Sequence, residues 1–321
     1  MFKYYLSIYI FGVADLSSEK TVLKDYIPML VMAGIILVVQ ITALLLATPM
    51  GANDMQAFEN PDSTANAIYY IVLILVFTFL LLMAIKRNME WIIQLTILLA
   101  VGATMFYVFY ALLSIVDVSI MTNNIVSGLL AAVLTILLYK FPEWYVINTI
   151  GLIIGAGASA IFGISLSILP VLVLLILLAV YDAISVYKTK HMIDLADGVM
   201  DLRLPILFII PKHLNYSFIN DSLKKEEGQE REAFFMGLGD AIMPTILVVS
   251  ANVFLAQKAT LDYIGFISYP ALGAMIGTFV GFVALSILVM KGKPQAGLPF
   301  LNSGVILGYI IGVLASGSPF Y

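Results

Sequence analysis

Long apolar stretches separated by short polar breaks occupy almost the whole chain. Nine of them, at approximately 26–48, 67–85, 91–116, 123–139, 144–160, 165–187, 236–256, 264–290 and 296–315, are candidate membrane spans. Most reach the roughly 20 residues a helix needs to cross a bilayer, and 123–139 and 144–160 sit at the short limit. Within hydrocarbon every backbone polar group must bond inside its own segment, which makes these spans helices rather than an open sheet. The predicted fold class is therefore an all-α polytopic membrane protein with nine transmembrane helices. The order is an N-terminal segment (1–25), helices one to six (26–187), a polar connection (188–235) and helices seven to nine (236–315).

The connections are unequal. Tyr4 to Val13 is apolar but too short to span, so residues 1–25 read as an interfacial segment or tail. Residues 49–66 form an acidic loop. The connection 188–235 is the one long polar segment, and its middle, DSLKKEEGQERE, is charged enough to predict flexibility. Leu202 to Ile210 is apolar and too short to cross, which predicts either a surface-lying segment or a strand. No repeat of fixed period is visible.

Composition supports this picture and narrows the chemistry. The chain is 62% hydrophobic and 11% charged, against about 25% charged in soluble domains. A net charge of −4 gives no basic surface for nucleic acid. With no cysteine there are no disulfides, thiolate metal sites or cysteine nucleophiles. His191 and His213 fall in the same polar connection and form no H-E-x-x-H zinc site. Of the 16 lysines and arginines, all but Lys258 fall on the face that receives the N-terminus and the connections after spans two, four, six and eight. This positive-inside bias predicts a cytoplasmic N-terminus and an external C-terminus.

Two carboxylates stand out against the apolar background. Asp182 lies near the end of LPVLVLLILLAVYDAISVY, and Asp240 at the start of MGLGDAIMPTILVVSANVFLA. A carboxylate in hydrocarbon costs about 3 kcal/mol on insertion scales. At 1.5 Å per residue, Asp182 is about 7 Å from the end of the sixth helix and Asp240 about 6 Å from the start of the seventh. On antiparallel helices those depths match, as a water shared between two carboxylates requires. Paired carboxylates that hold one proton are the chemistry of aspartic proteases. Gly237 and Gly239, flanking Leu238 just before Asp240, let another backbone lie close to such a site.

Tyr181-Asp182 and Gly237-Leu238-Gly239-Asp240, on successive spans of a nine-span chain, resemble the presenilin and signal peptide peptidase family of intramembrane aspartyl proteases, the short archaeal presenilin homologues in particular. The resemblance implies that Asp182 and Asp240 are catalytic and that Tyr181 is near them. It also implies a multi-pass protein of a prokaryotic, archaeal cell membrane. The family's third motif, Pro-Ala-Leu, opens the ninth span. Literal Pro270-Ala271-Leu272 lies one span too early and reads as a decoy. Gln295-Ala296-Gly297-Leu298, followed by Pro299, looks like the equivalent, with alanine and glycine in place of proline and alanine. These residues, with Tyr181 and Gly237 to Gly239, are the expected substrate-binding set. The lysine and arginine count places the chain with presenilins, which implies single-span substrates with an external N-terminus.

The expected reaction is peptide-bond hydrolysis within a transmembrane segment of a protein or peptide, with a water activated between Asp182 and Asp240 and no metal or organic cofactor. The bilayer is a necessary partner, homo-oligomerisation stays open, and no obligatory partner subunit is inferred. Gly273, Gly277 and Gly281, at four-residue spacing on span eight, predict close helix packing. The main alternative is a proton-coupled transporter using the aspartates as a relay, for which Pro244 and Pro270 would break helices. A prepilin-peptidase-like enzyme is disfavoured by the depth of Asp182, and a structural scaffold leaves two costly charges unexplained. No serine has a histidine or lysine partner at membrane depth.

Overall fold

The computed structural model describes residues 16–87, 89–116, 118–189, 207–213, 215–219, 232–258, 263–289 and 295–320. Among them are nine helices long and apolar enough to cross a membrane. They are α1 (Leu16–Ala52), α2 (Ala65–Lys86), α3 (Glu90–Ser114), α4 (Ile120–Lys140), α5 (Trp144–Ser165), α6 (Ile168–Ile184), α7 (Leu238–Lys258), α8 (Tyr269–Val289) and α9 (Gly297–Ser316). A π turn, Ser185–Thr189, continues α6. Two short two-stranded sheets accompany the helices: β1 (Leu207–Pro211) with β2 (Ala233–Gly237), and β3 (Tyr263–Ile264) with β4 (Ile267–Ser268).

The spans read from hydropathy correspond to these helices, with differences at their ends. Helix α1 extends back to Leu16 through polar residues that hydropathy leaves out, while Tyr4 to Val13 lie outside the described residues. The eighth predicted span starts five residues too early. Its first residues form the β3–β4 hairpin, turned at Gly265, whose φ of +66° suits glycine. The apolar segment at 202–210 resolves as a strand from Leu207, with 202–206 outside the described residues, as is most of the charged middle of the connection.

Helices α5 and α7 are the most enclosed of the bundle, and α2 lies at its rim. Between helices in a bilayer, lipid tails are as apolar as leucine, so close packing of small residues replaces the hydrophobic effect as the main attraction. That logic is visible twice. Gly163 of α5 faces Val249 of α7, where an added Cβ would lie 2.5 Å from the valine side chain. Gly273, Gly277 and Gly281 of α8 face Gly304, Gly308 and the first turn of α9, with Gly312 packed against Pro270 and Gly273. A Cβ on Gly277 would lie 2.8 Å from the Gly308 Cα and closer still to the Gly304 carbonyl oxygen.

The β1–β2 sheet packs against α5 and α1. It is antiparallel, with Leu207 opposite Gly237 and Pro211 opposite Ala233. Phe208, Ile209 and Ile210 are buried, and the Phe208 ring packs over Gly151 of α5. Leu238, where β2 becomes α7, packs against all three hydrophobic clusters of the core. The sheet is thus joined directly to the start of α7, and through it to Asp240.

Candidate active site

Asp240 is the third residue of α7, in its first turn. Carboxylates are favoured there by the helix dipole and the unbonded N–H groups. Pro244, four residues on, has no N–H to offer the Asp240 carbonyl, so the first turn is looser than a regular helix. Asp182 lies two residues before the end of α6. It is 7% exposed, and Asp240 is partly buried. Helices α6 and α7 pack together, and the two carboxylates are near enough for their charges to act on one another.

Both carboxylates converge on one peptide unit at the start of α9. The Leu298 N–H donates to Asp182 Oδ2 at 3.1 Å. A Cβ placed on Gly297 would lie 2.7 Å from Asp240 Oδ1. The peptide joining Gly297 to Leu298 therefore lies against both acids, and only glycine allows the approach on the Asp240 side. On its other side, Asp240 faces Gly237, whose Cβ would meet Oδ2 at 3.2 Å. Gly239 differs: a Cβ there would meet nothing within 4 Å, so space beside it is open.

The other expected residues fall as follows. Tyr181 is partly buried beside Asp182. Gln295 and Ala296 precede α9, with Ala296 buried at its N-cap, and Pro299 occupies the first turn, where its missing N–H costs nothing. Pro270 and Ala271 are buried in the first turn of α8, beside Gly312. Gly281, whose Cβ would meet Phe300 and Leu301, marks the end of α8 nearest the acids. Eleven residues separate it from Pro270, about 16 Å of helix. The literal Pro-Ala-Leu is thus remote from the carboxylates, and Gln295 to Leu298 is beside them.

Three polar side chains that the sequence did not single out brace this end of the bundle. Asn302 of α9 donates from Nδ2 to the Leu175 carbonyl of α6 at 2.9 Å. Tyr187, in the π turn, donates to Gln295 Oε1 at 2.8 Å and accepts from the Ala296 N–H at 3.2 Å. Asn148 of α5 donates to the Ile209 carbonyl at 2.7 Å and accepts from the Ile209 N–H at 2.8 Å. The Lys212 N–H donates to the Glu232 carbonyl at 2.8 Å, and antiparallel pairs alternate from there. Ile209 accordingly turns both backbone groups away from β2, and Asn148 takes them. The asparagines carried a weak signal as lone amides in apolar spans. A tyrosine at a span end carried none, since aromatic residues are common at membrane interfaces.

Nine spans with two carboxylates meeting near one end define an integral, multi-pass membrane protein with an aspartyl centre. The family described as signal-peptide peptidase, presenilin aspartyl protease matches residues 33–318, and the chain belongs to that family. It is similar to a solved presenilin family intramembrane aspartate protease in a C222 crystal, at 41% identity and a TM-score of 0.67, over 90% of this chain and 100% of that one. A second structure of such a protease, in a P2 crystal, matches at 41% identity and a TM-score of 0.64, over 91% and 100%. No curated protein matches the chain. The chain is thus an intramembrane aspartate protease, and the transporter alternative gives way to it.

Proposed function

We propose that Asp182 and Asp240 are the catalytic pair, holding between them the water that attacks a peptide carbonyl inside a substrate's transmembrane segment. The observation that carries this is their convergence on the Gly297–Leu298 peptide. One carboxylate, ionised, takes a proton from the water. The other, protonated, donates to the carbonyl oxygen and then to the leaving amine. Substrates are single-span proteins with an external N-terminus, consistent with a cytoplasmic N-terminus here. That orientation is supported by the placement of all but one of the 16 lysines and arginines. The enzyme acts without obligatory partner subunits in a prokaryotic, archaeal cell membrane.

A substrate helix keeps its peptide bonds inside its own hydrogen bonds and must unwind before attack. Its freed backbone groups then need partners, since the bilayer core offers none. Strand addition supplies them. With the outer side of β1 taken at Ile209 by Asn148, the substrate strand runs along β2, which leads into Gly237 and Asp240. Tyr181, Leu238, open space beside Gly239 and the segment from Gln295 to Pro299 line its path.

The test is cleavage of a labelled single-span peptide by the purified protein in detergent, with and without an aspartyl-protease transition-state inhibitor. Inhibitor-sensitive cleavage within the apolar segment is expected. Cleavage only outside it, or insensitive to the inhibitor, is the result that sinks the proposal.

Two further results are expected. Gly297→Val drives a branched side chain into the Asp240 carboxylate, and a displacement of about 1 Å at a reacting group costs about 100-fold in rate. Cleavage should fall by that order while detergent gel filtration stays unchanged; wild-type turnover by this variant would remove Gly297 from the site. The pH profile of kcat/KM should be bell-shaped. The active pair carries one proton, so activity is lost on the acid side when both groups are protonated and on the alkaline side when both are ionised. A profile flat up to about pH 10 would count against a shared proton.

A further inference from the structure

Helix α6 does not end regularly. After Ile184 it continues as the π turn Ser185–Thr189, which closes its hydrogen bonds from i to i+5 and so carries one more residue per turn. On a regular helix, residues three and four apart share a face; a wider turn brings the fifth residue round towards it. Asp182 and Tyr187, five apart, reach the same strip of chain. Asp182 accepts from the Leu298 N–H, and Tyr187 bonds Gln295 and Ala296.

Tyr187 holds the Gln295–Ala296 segment by two hydrogen bonds, and it uses both functions of its hydroxyl to do so. The segment needs such a hold. Ala296 is the N-cap of α9 and has no side-chain oxygen with which to cap the helix. Two residues later the same turn must present an N–H to Asp182. A shift of the 295–296 segment would carry the Leu298 N–H with it.

We propose that Tyr187 is a positioning residue for proteolysis: its hydroxyl clasps Gln295 and Ala296 and thereby sets the first turn of α9 against Asp182. The inference rests on the reading of Asp182 and Asp240 as the catalytic pair. Among the described residues, Tyr187 makes no hydrogen bond to either carboxylate. The Tyr187 side chain is 53% exposed, so removing its hydroxyl leaves the buried core intact.

The experiment compares wild type, Tyr187→Phe, Tyr187→Ala, Gln295→Leu and the Tyr187→Phe/Gln295→Leu double variant, with Asp182→Ala as reference. All are purified full-length and assayed on one labelled single-span peptide. Loss of two neutral hydrogen bonds should lower kcat about tenfold for Tyr187→Phe, with KM within about twofold and an unchanged melting temperature. Tyr187→Ala should match Tyr187→Phe, and the double variant should lose no more kcat than Tyr187→Phe alone, since both mutations open one clasp; any change in KM belongs to the place of Gln295 on the substrate path. Wild-type kcat in Tyr187→Phe, or a loss confined to Tyr187→Ala, overturns the clasp, the latter by showing that the ring and not the hydroxyl acts. Multiplicative losses of kcat in the double variant overturn it as well. If Asp182→Ala still cleaves, the catalytic pair itself fails and the clasp with it. If Asp182→Ala is dead and Tyr187→Phe is not impaired, the clasp alone fails.

Discussion

Asp182→Ala and Asp240→Ala should each reduce cleavage of a single-span peptide by about four orders of magnitude. Neither carboxylate can substitute for the other, because hydrolysis needs an ionised and a protonated member at the same time. The double variant should therefore be no worse than either single one. Such non-additivity is the mark of groups acting as a unit. Folding should survive. A carboxylate in a membrane segment is a cost to stability, about 3 kcal/mol on insertion scales, and among the described residues Asp182 returns part of it through one hydrogen bond, from Leu298. The alanine variants should accordingly melt at or above the wild-type temperature. Purified single variants that retain activity within about tenfold of wild type would end the assignment. A loss of activity together with a collapsed melting transition would mean that the residues are structural.

That cost is also why the two aspartates were legible in the sequence. Hydrocarbon makes each ionisable residue expensive, so Asp182 and Asp240 stood out without any knowledge of the fold, and the rise per residue of a helix was enough to put them at one depth. The nine spans were legible for the same reason: a bilayer imposes length and apolarity on every crossing segment. What brings Gly297 and Leu298 to the acids was not legible by the same means. That contact joins residues 116 apart in sequence, and no local period encodes it. The resemblance of Gln295 to Leu298 to a family motif pointed to it instead. The β1 strand was half visible as an apolar run too short to cross. Its partner β2 was not visible: Ala233 to Phe235 fell in the segment read as a polar connection, and Met236 and Gly237 in the stretch read as the seventh span.

The glycines divide in an instructive way. Spacing on α8 signalled close packing, and the structure supplies the reason: Gly273, Gly277 and Gly281 meet α9 backbone to backbone. The matching run Gly304, Gly308 and Gly312 on α9 has the same four-residue spacing and could have been paired with them from the sequence. Gly34 and Gly128 sit in helices with nothing within 4 Å of an added Cβ. They are tolerated residues of α1 and α4, where spacing carries no message.

This difference sets up the second large effect, on stability. Gly277→Ala places a methyl group against the Gly304 carbonyl oxygen and 2.8 Å from the Gly308 Cα. Both obstacles are main chain, and no side chain can rotate to make room. The helices must separate, losing contact along the whole α8–α9 face, at a cost of about 3 kcal/mol or more; Gly277→Val should not yield a folded protein. The alanine variant should show a markedly lower melting temperature in detergent. It should also lose activity, because the first turn of α9 carries Gly297 and Leu298, and about 1 Å of displacement at a reacting group costs about 100-fold. Gly128→Ala makes the same chemical change in open space and, by replacing glycine within a helix, should stabilise by up to about 1 kcal/mol. A Gly277→Ala protein that melts like wild type would show that α8 and α9 are not in this contact. The placement of Leu298 against Asp182 would then need another support.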